Sequence, residues 1–287
     1  MAFVAQSRII ENLKGSSVWR AIVQGFSEFL KLFPSVTYCI FSIVENYNNT
    51  EEYLIKVEEA TKGKYDALII PMTPKEGRHG KKFLSLLKKH KGLIIAVNVP
   101  PDENALCELE GKLRGYVGMH EKAAGIKAAQ CLFLSGKKFD CIYVPVDKPD
   151  HYGYSLRIQG IKEVAEMHNI PVCQININNP KEANIICQLM DSSAIVTLGP
   201  IGTDFALEKQ KTYPEICAIV TMDLDQKTAE AIRSRKVICT LIQHPKEQGA
   251  KAAELALNLL NGTTTSAYTE IYCGPTIVDL DNISIFE

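Results

Sequence analysis

The sequence predicts an α/β protein made of two doubly wound parallel sheets, and three observations predict it. Short apolar runs alternate with longer amphipathic stretches along nearly the whole chain. The runs are near-continuous and rich in Val and Ile, the pattern of parallel strands covered on both faces. The chain has 287 residues. At ~150 residues per domain that suggests roughly two domains, so two sheets of about five strands fit the length better than one of about ten.

The expected strands of the first half are 2–6 (AFVAQ), 36–44 (VTYCIFSIV), 65–72 (YDALIIPM), 93–99 (LIIAVNV) and 115–119 (GYVGM). Those of the second half are 139–146 (FDCIYVPV), 171–177 (PVCQINI), 193–199 (SAIVTLG), 216–222 (ICAIVTM) and 237–243 (VICTLIQ). Helical periods fill 17–32, 51–61, 76–90, 121–135, 152–168, 180–190, 202–212, 225–234 and 244–261. Asn49-Thr50-Glu51 and Asp223-Leu224-Asp225 offer N-caps, and Gly262 offers a C-terminal stop. The pattern alone places a seam at the Pro-rich break Val99-Pro100-Pro101-Asp102, followed by an irregular stretch to Arg114. The last region, 267–287, reads as extended pieces without a helix, which fits short strands crossing between lobes.

Composition narrows the function classes. Lys plus Arg is 32 against 33 for Asp plus Glu, a formal charge of -1, so no basic footprint for nucleic acid exists. The hydrophobic fraction of 46% supports a packed core and argues against disorder. No apolar run approaches the ~20 residues of a membrane span. Met1 leads straight into an apolar strand, without the basic head and cleavage site of a secretory leader. That leaves a cytosolic protein or a mature, trimmed one. The nine cysteines form no C-x-x-C pair, which removes zinc and thioredoxin-like readings. They read as small buried hydrophobes and favour a reducing compartment.

Enzyme signatures are missing. There is no G-x-G-x-x-G after the first strand, no P-loop, no G-x-S-x-G and no H-E-x-x-H. The six histidines (79, 90, 120, 151, 168, 244) form no i,i+4 pair. No cofactor and no metal is expected.

Ligands of open α/β sheets bind outside the carboxyl ends of the strands. Those ends carry Gln6, Ser7, Met72, Thr73, Asn98, Met119, His120, Asp147, Asn176, Asn178, Gly199, Pro200, Asp223, Gln243 and His244. The set is rich in amides and hydroxyls and poor in Arg and Lys, which suits a small polyhydroxylated ligand rather than a phosphate.

Several segments carry a resemblance. SSVWRAIVQGFSEFLK (16–31), YDALIIPMTP (65–74), GYVGMHEKAAGIKAAQ (115–130), YSLRIQGIKEV (154–164) and CGPTIVDLDNI (273–283) each match a piece of one family. Residues 218–262 are the most specific match. There a strand ends in Asp, a helix follows, the next strand ends in Gln, and a Pro and Gln-Gly open a long Ala/Leu helix. The chain resembles the type 1 periplasmic sugar-binding protein superfamily, ribose-binding-protein-like, which also supplies the effector core of lactose-repressor-like regulators.

The resemblance implies two Rossmann-like lobes joined by three hinge crossovers. They would be 1–118 plus 244–272 and 119–243 plus 273–287, clasping a ligand in an interlobe cleft. It implies ligand-binding roles for Ser7, Trp19, Asn98, His120, Arg157, Asp223 and Gln243. Trp19 would stack on a sugar ring, Arg157 would fork onto hydroxyls, Asp223 would accept from two hydroxyls, and Gln243 would lie on a hinge strand.

Three departures stand out: Asn98-Val99 in place of Asp-Arg, Met119-His120 in place of Thr-Asp or Ser-Asp, and Gly199-Pro200 in place of Asn-Asp. Fewer carboxylates and one histidine would line the cleft, and that histidine could sense pH or meet an acidic group. The implied function is solute capture without chemistry, feeding a membrane permease or a sensor kinase from an extracytoplasmic position. The alternative is the core of a transcription regulator lacking its DNA-binding segment.

Overall fold

The computed structural model describes residues 1–5, 17–42, 50–74, 77–149, 151–185, 192–213 and 216–286. The chain divides into two compact units, Met1–Met119 with His244–Cys273, and His120–Gln243 with Gly274–Glu287. It therefore passes from one unit to the other three times, after Met119, Gln243 and Cys273.

The first unit holds β1 (Ala2–Ala5), α1 (Ser17–Leu30), β2 (Cys39–Ser42), α2 (Thr50–Lys62), β3 (Ala67–Ile70), α3 (Gly77–Lys89), β4 (Leu93–Val97), α4 (Glu103–Glu108) and β5 (Leu113–Gly118). After the excursion into the second unit, α10 (Pro245–Leu260) and β11 (Thr269–Tyr272) complete it. Its sheet runs β11-β5-β4-β3-β1-β2, with all pairs parallel. Alternate strand residues pack two cores. Phe3, Ile69, Ile95 and Val117 meet α1 and α10 on one face, while Val4, Leu68, Ile70 and Ala96 meet α2 and α3 on the other. Burial on both faces is why these strands read as unbroken Val/Ile runs.

The second unit holds α5 (Glu121–Leu134), β6 (Cys141–Val146), α6 (Tyr152–Met167), β7 (Val172–Asn176), α7 (Pro180–Ile185), β8 (Ser193–Val196), α8 (Pro200–Thr212), β9 (Ala218–Met222), α9 (Gln226–Arg233), β10 (Cys239–Ile242) and β12 (Thr276–Asp279). Its sheet runs β12-β10-β9-β8-β6-β7. All pairs are parallel except β10–β12, where the tail returns antiparallel.

Glycine sets the helix pairs. A Cβ on Gly249 would sit 1.8 Å from the Ile22 carbonyl oxygen, and one on Gly25 the same distance from that of Lys246, so α1 and α10 touch backbone to backbone. Gly125 repeats the device in the second unit, 1.8 Å from the Arg157 carbonyl oxygen, joining α5 to α6.

Two expectations change. The Val99–Asp102 break is no seam: it lies inside the first unit, where Met72 donates its N–H to the Val99 carbonyl at 3.3 Å. The stretch after it is also not irregular, because Asp102 caps α4, its carboxylate accepting from the Ala105 N–H at 2.8 Å. A six-residue helix is too short to leave a readable apolar period. Among the described residues, no helix is long and apolar enough to cross a membrane.

Candidate functional site

Three strand ends share one backbone feature. Asn98 after β4, Asp223 after β9 and His244 after β10 have φ of 62°, 72° and 48°. Non-glycine residues enter this left-handed region at a cost, and Asn, Asp and His enter it most readily. The polar side chains at these ends are therefore held where the backbone turns away from the sheet.

The second unit gathers a buried polar cluster around Arg157. Arg157 on α6 is 4% exposed, yet it keeps a charged partner. Its Nε donates to Glu121 Oε2 at 2.5 Å, and Nη1 donates to the Leu198 carbonyl. The Tyr154 ring lies 5.4 Å from its guanidinium carbon. Gly199 makes room for this arrangement, since a Cβ there would meet the Tyr154 hydroxyl at 2.7 Å. Burial works against the guanidinium charge, but the Glu121 carboxylate beside it more than compensates and holds its pKa above the ordinary value.

Asp223 is half-buried on the same side of the sheet and exchanges charge interactions with Arg157. Its Oδ1 accepts from Gln243 Nε2 at 2.7 Å, and its backbone carbonyl accepts from the Thr240 hydroxyl at 2.8 Å. Burial raises the carboxyl pKa of both Asp223 and Glu121, and the Arg157 charge opposes the rise in each. Asp223 is not the helix cap that its position also allows. Asp225 takes that role, its Oδ1 accepting from the Thr228 N–H at 2.7 Å.

His120 is exposed and caps α5, with Nδ1 accepting from the Ala123 N–H at 3.2 Å. In the neutral ring that places the proton on Nε2. His151 caps α6 in the same way, at 3.3 Å from the Tyr154 nitrogen. The second unit thus brings together Arg157, Asp223, Gln243 and His120, four of the residues singled out from sequence.

The others fall elsewhere. Asn98 belongs to the first unit, where its amide donates to Gln248 Oε1 at 3.2 Å and its carbonyl accepts from the Tyr116 hydroxyl at 3.1 Å. Ser7 lies outside the described residues. Trp19 is a correction: it is 3% exposed and packs in the core with Phe3, Ile22 and Phe26 rather than offering a ring face. An aromatic on an amphipathic helix satisfies the apolar stripe before it can serve a ligand.

Sequence reasoning missed Glu121, Tyr154 and Gln248. Glu121 sits at the first position of α5, where an acidic residue reads as an ordinary response to the helix dipole. Gln248 is wholly buried next to Gly249, and its signals were the Gln-Gly of the family match and a polar residue on the apolar face of α10. Among the described residues, no cluster of three or more His, Cys, Asp or Glu could hold a metal ion.

Both units are mostly parallel α/β sheets of the doubly wound type, with polar side chains fixed at strand ends. The chain belongs to the periplasmic binding protein domain family, which it matches over residues 9–264. Solved structures agree on the fold. GanP, a glucose-galactose binding protein from Geobacillus stearothermophilus, superposes with a TM-score of 0.79 at 15% identity, covering 98% of each chain. An ABC transporter periplasmic solute binding protein from Actinobacillus succinogenes, with bound D-allose, gives 0.77 at 21% identity over 99% of this chain and 98% of that one. A protein from Bacteroides fragilis, designated a candidate LacI transcriptional regulator, gives 0.76 at 12% identity, over 100% of this chain and 98% of that one. No curated protein matches the chain by sequence.

Proposed function

We propose that the protein captures a small, neutral, polyhydroxylated solute, a sugar or sugar derivative, and releases it unchanged. The observation that carries this reading is the Arg157–Glu121–Asp223–Gln243 set. It offers rigid donors and acceptors, Asp223 and Gln243 at strand ends with Arg157 on α6 and Glu121 on α5, and sets two carboxylates against one guanidinium. An acidic ligand would meet excess negative charge there, whereas hydroxyl groups can both donate to the carboxylates and accept from the guanidinium. The bound ligands of fold neighbours, the sugar D-allose in one and the cyclic polyol myo-inositol in another, support the same class of ligand. A micromolar Kd needs about -8.2 kcal/mol, within reach of a handful of net hydrogen bonds plus apolar contact.

The family supports delivery to a membrane permease from an extracytoplasmic position. The Bacteroides fragilis neighbour supports one competing reading, the effector core of a regulator. Cell fractionation separates the two.

The binding test is a thermal-shift screen of neutral pentoses, hexoses, polyols and sugar acids, followed by calorimetry. At a hundredfold excess over Kd, a true ligand stabilises by about 2.7 kcal/mol. Asp223→Asn and Gln243→Leu are expected to weaken the best hit at least about tenfold, the cost of a lost charge-assisted bond. If no compound raises the melting temperature, solute capture of this class is wrong.

A further inference from the structure

The strand pair at one edge of the second sheet carries two thiols in contact. β7 is the edge strand and pairs in parallel with β6, in the register Tyr143 with Cys173. Side chains alternate along a strand, so Cys141, two residues before Tyr143, lies on the same face as Cys173. Their Sγ atoms are 3.5 Å apart. Both are free thiols: Cys173 is exposed, and Cys141 is half-buried under it. A disulfide needs its sulfurs at about 2.05 Å, so the pair must close the difference by side-chain rotation within an existing contact.

We propose that Cys141 and Cys173 are a disulfide-forming site that reacts with oxidised low-molecular-weight thiols. Accessibility sets the order of events. The Cys173 thiolate attacks one sulfur of the small disulfide RSSR and expels RS⁻, leaving a mixed disulfide on Cys173. Cys141 then gives up its proton and attacks the Cys173 sulfur, expelling the second RS⁻. One RSSR is reduced to two RSH, the two protein thiols are oxidised to one disulfide, and their two protons end on the released thiols.

Burial and the neighbouring Cys173 push the Cys141 thiol up to about 12, which disfavours it as the first nucleophile. The link would tie the edge strand to its neighbour at the start of β6. The strand ends that carry Asp223 and Gln243 lie at the opposite, carboxyl end of the sheet. The site is therefore independent of the ligand reading, and its state reports the redox condition of the compartment that holds the protein.

The test incubates the reduced full-length chain with glutathione and oxidised glutathione at a series of ratios. Free thiols are then blocked and the peptides mapped by mass spectrometry. In the wild type, a peptide joining Cys141 to Cys173 is expected, lighter by two hydrogens than its reduced parts, with little glutathione retained on Cys173. In Cys141→Ser, the glutathione mixed disulfide on Cys173 is expected to persist. In Cys173→Ser, the linked peptide is expected to vanish. The wild-type map decides the matter even if a variant folds poorly. Glutathione retained on wild-type Cys173, a Cys173 linked to some other cysteine, or a Cys173 that stays reduced at every ratio overturns the proposal.

Discussion

Replacing Glu121 by Gln probes the buried ion pair while keeping the side chain's size and one carbonyl acceptor. The side chains of Arg157 and Glu121 are 5% and 2% exposed, and their contact is 2.5 Å, so the guanidinium has exchanged nearly all its water for this carboxylate. Removing one member of such a pair strands the other charge, at a cost of about 3–5 kcal/mol. The Leu198 carbonyl and the Asp223 charge still support Arg157, which places the change at the low end, about 3 kcal/mol. For a chain of this size each kcal/mol is worth about 2–4 °C, so the melting temperature should fall by about 6–12 °C.

Thermal and urea unfolding followed by circular dichroism measure the loss. The double change Glu121→Leu with Arg157→Met removes both charges and is expected to recover to within about 1 kcal/mol of the wild type. A single variant that melts within about 2 °C of the parent would show that the pair is not desolvated. A double variant as unstable as the single one would refute the stranded-charge explanation. The same Glu121→Gln change removes one of the two carboxylates that face Arg157 and leaves Asp223 as its single counter-charge. It is expected to raise affinity for a sugar acid relative to its neutral parent by about tenfold or more.

Gly249→Ala drives a methyl group into the Ile22 carbonyl at 1.8 Å and forces α1 and α10 apart, at a cost of about 1–3 kcal/mol or more, read as a lower melting temperature. Gly125→Ala does the same between α5 and α6 and shifts the Arg157 backbone, so it should weaken ligand binding as well as stability, as calorimetry would show. His90 is 1% exposed. Burial, helped by the Lys112 charge, lowers its pKa below the ordinary value of 6.5. The folded state thus favours the neutral ring. The unfolded chain binds more protons below the ordinary value, so this contribution is full above it and is lost as pH falls through it toward the folded pKa. Urea unfolding across that window should show the slope, and His90→Leu should flatten it.

Parallel strands covered on both faces must be apolar along their length, so runs such as 93–99 and 216–222 announced themselves in one dimension. The strand-end polar residues were legible for a related reason. Asn98, Asp223 and Gln243 each follow directly on an apolar run, and the backbone turns at Asn98 and Asp223. Family-specific residues from 218 to 262 added the pairing of a terminal Asp with a terminal Gln, and the two side chains meet at 2.7 Å.

Tertiary structure decided the rest, because periodicity tells which face of an element is apolar but not which residues of separate elements meet. Nothing local distinguishes a tryptophan bound for the core from one facing a ligand, and Trp19 went to the core. Glu121 and Arg157 are 36 positions apart, and only the glycine-mediated approach of α5 and α6 brings them into contact. Cys141 and Cys173 touch because β7 chose β6 as its neighbour, a choice made by the whole sheet rather than by either strand.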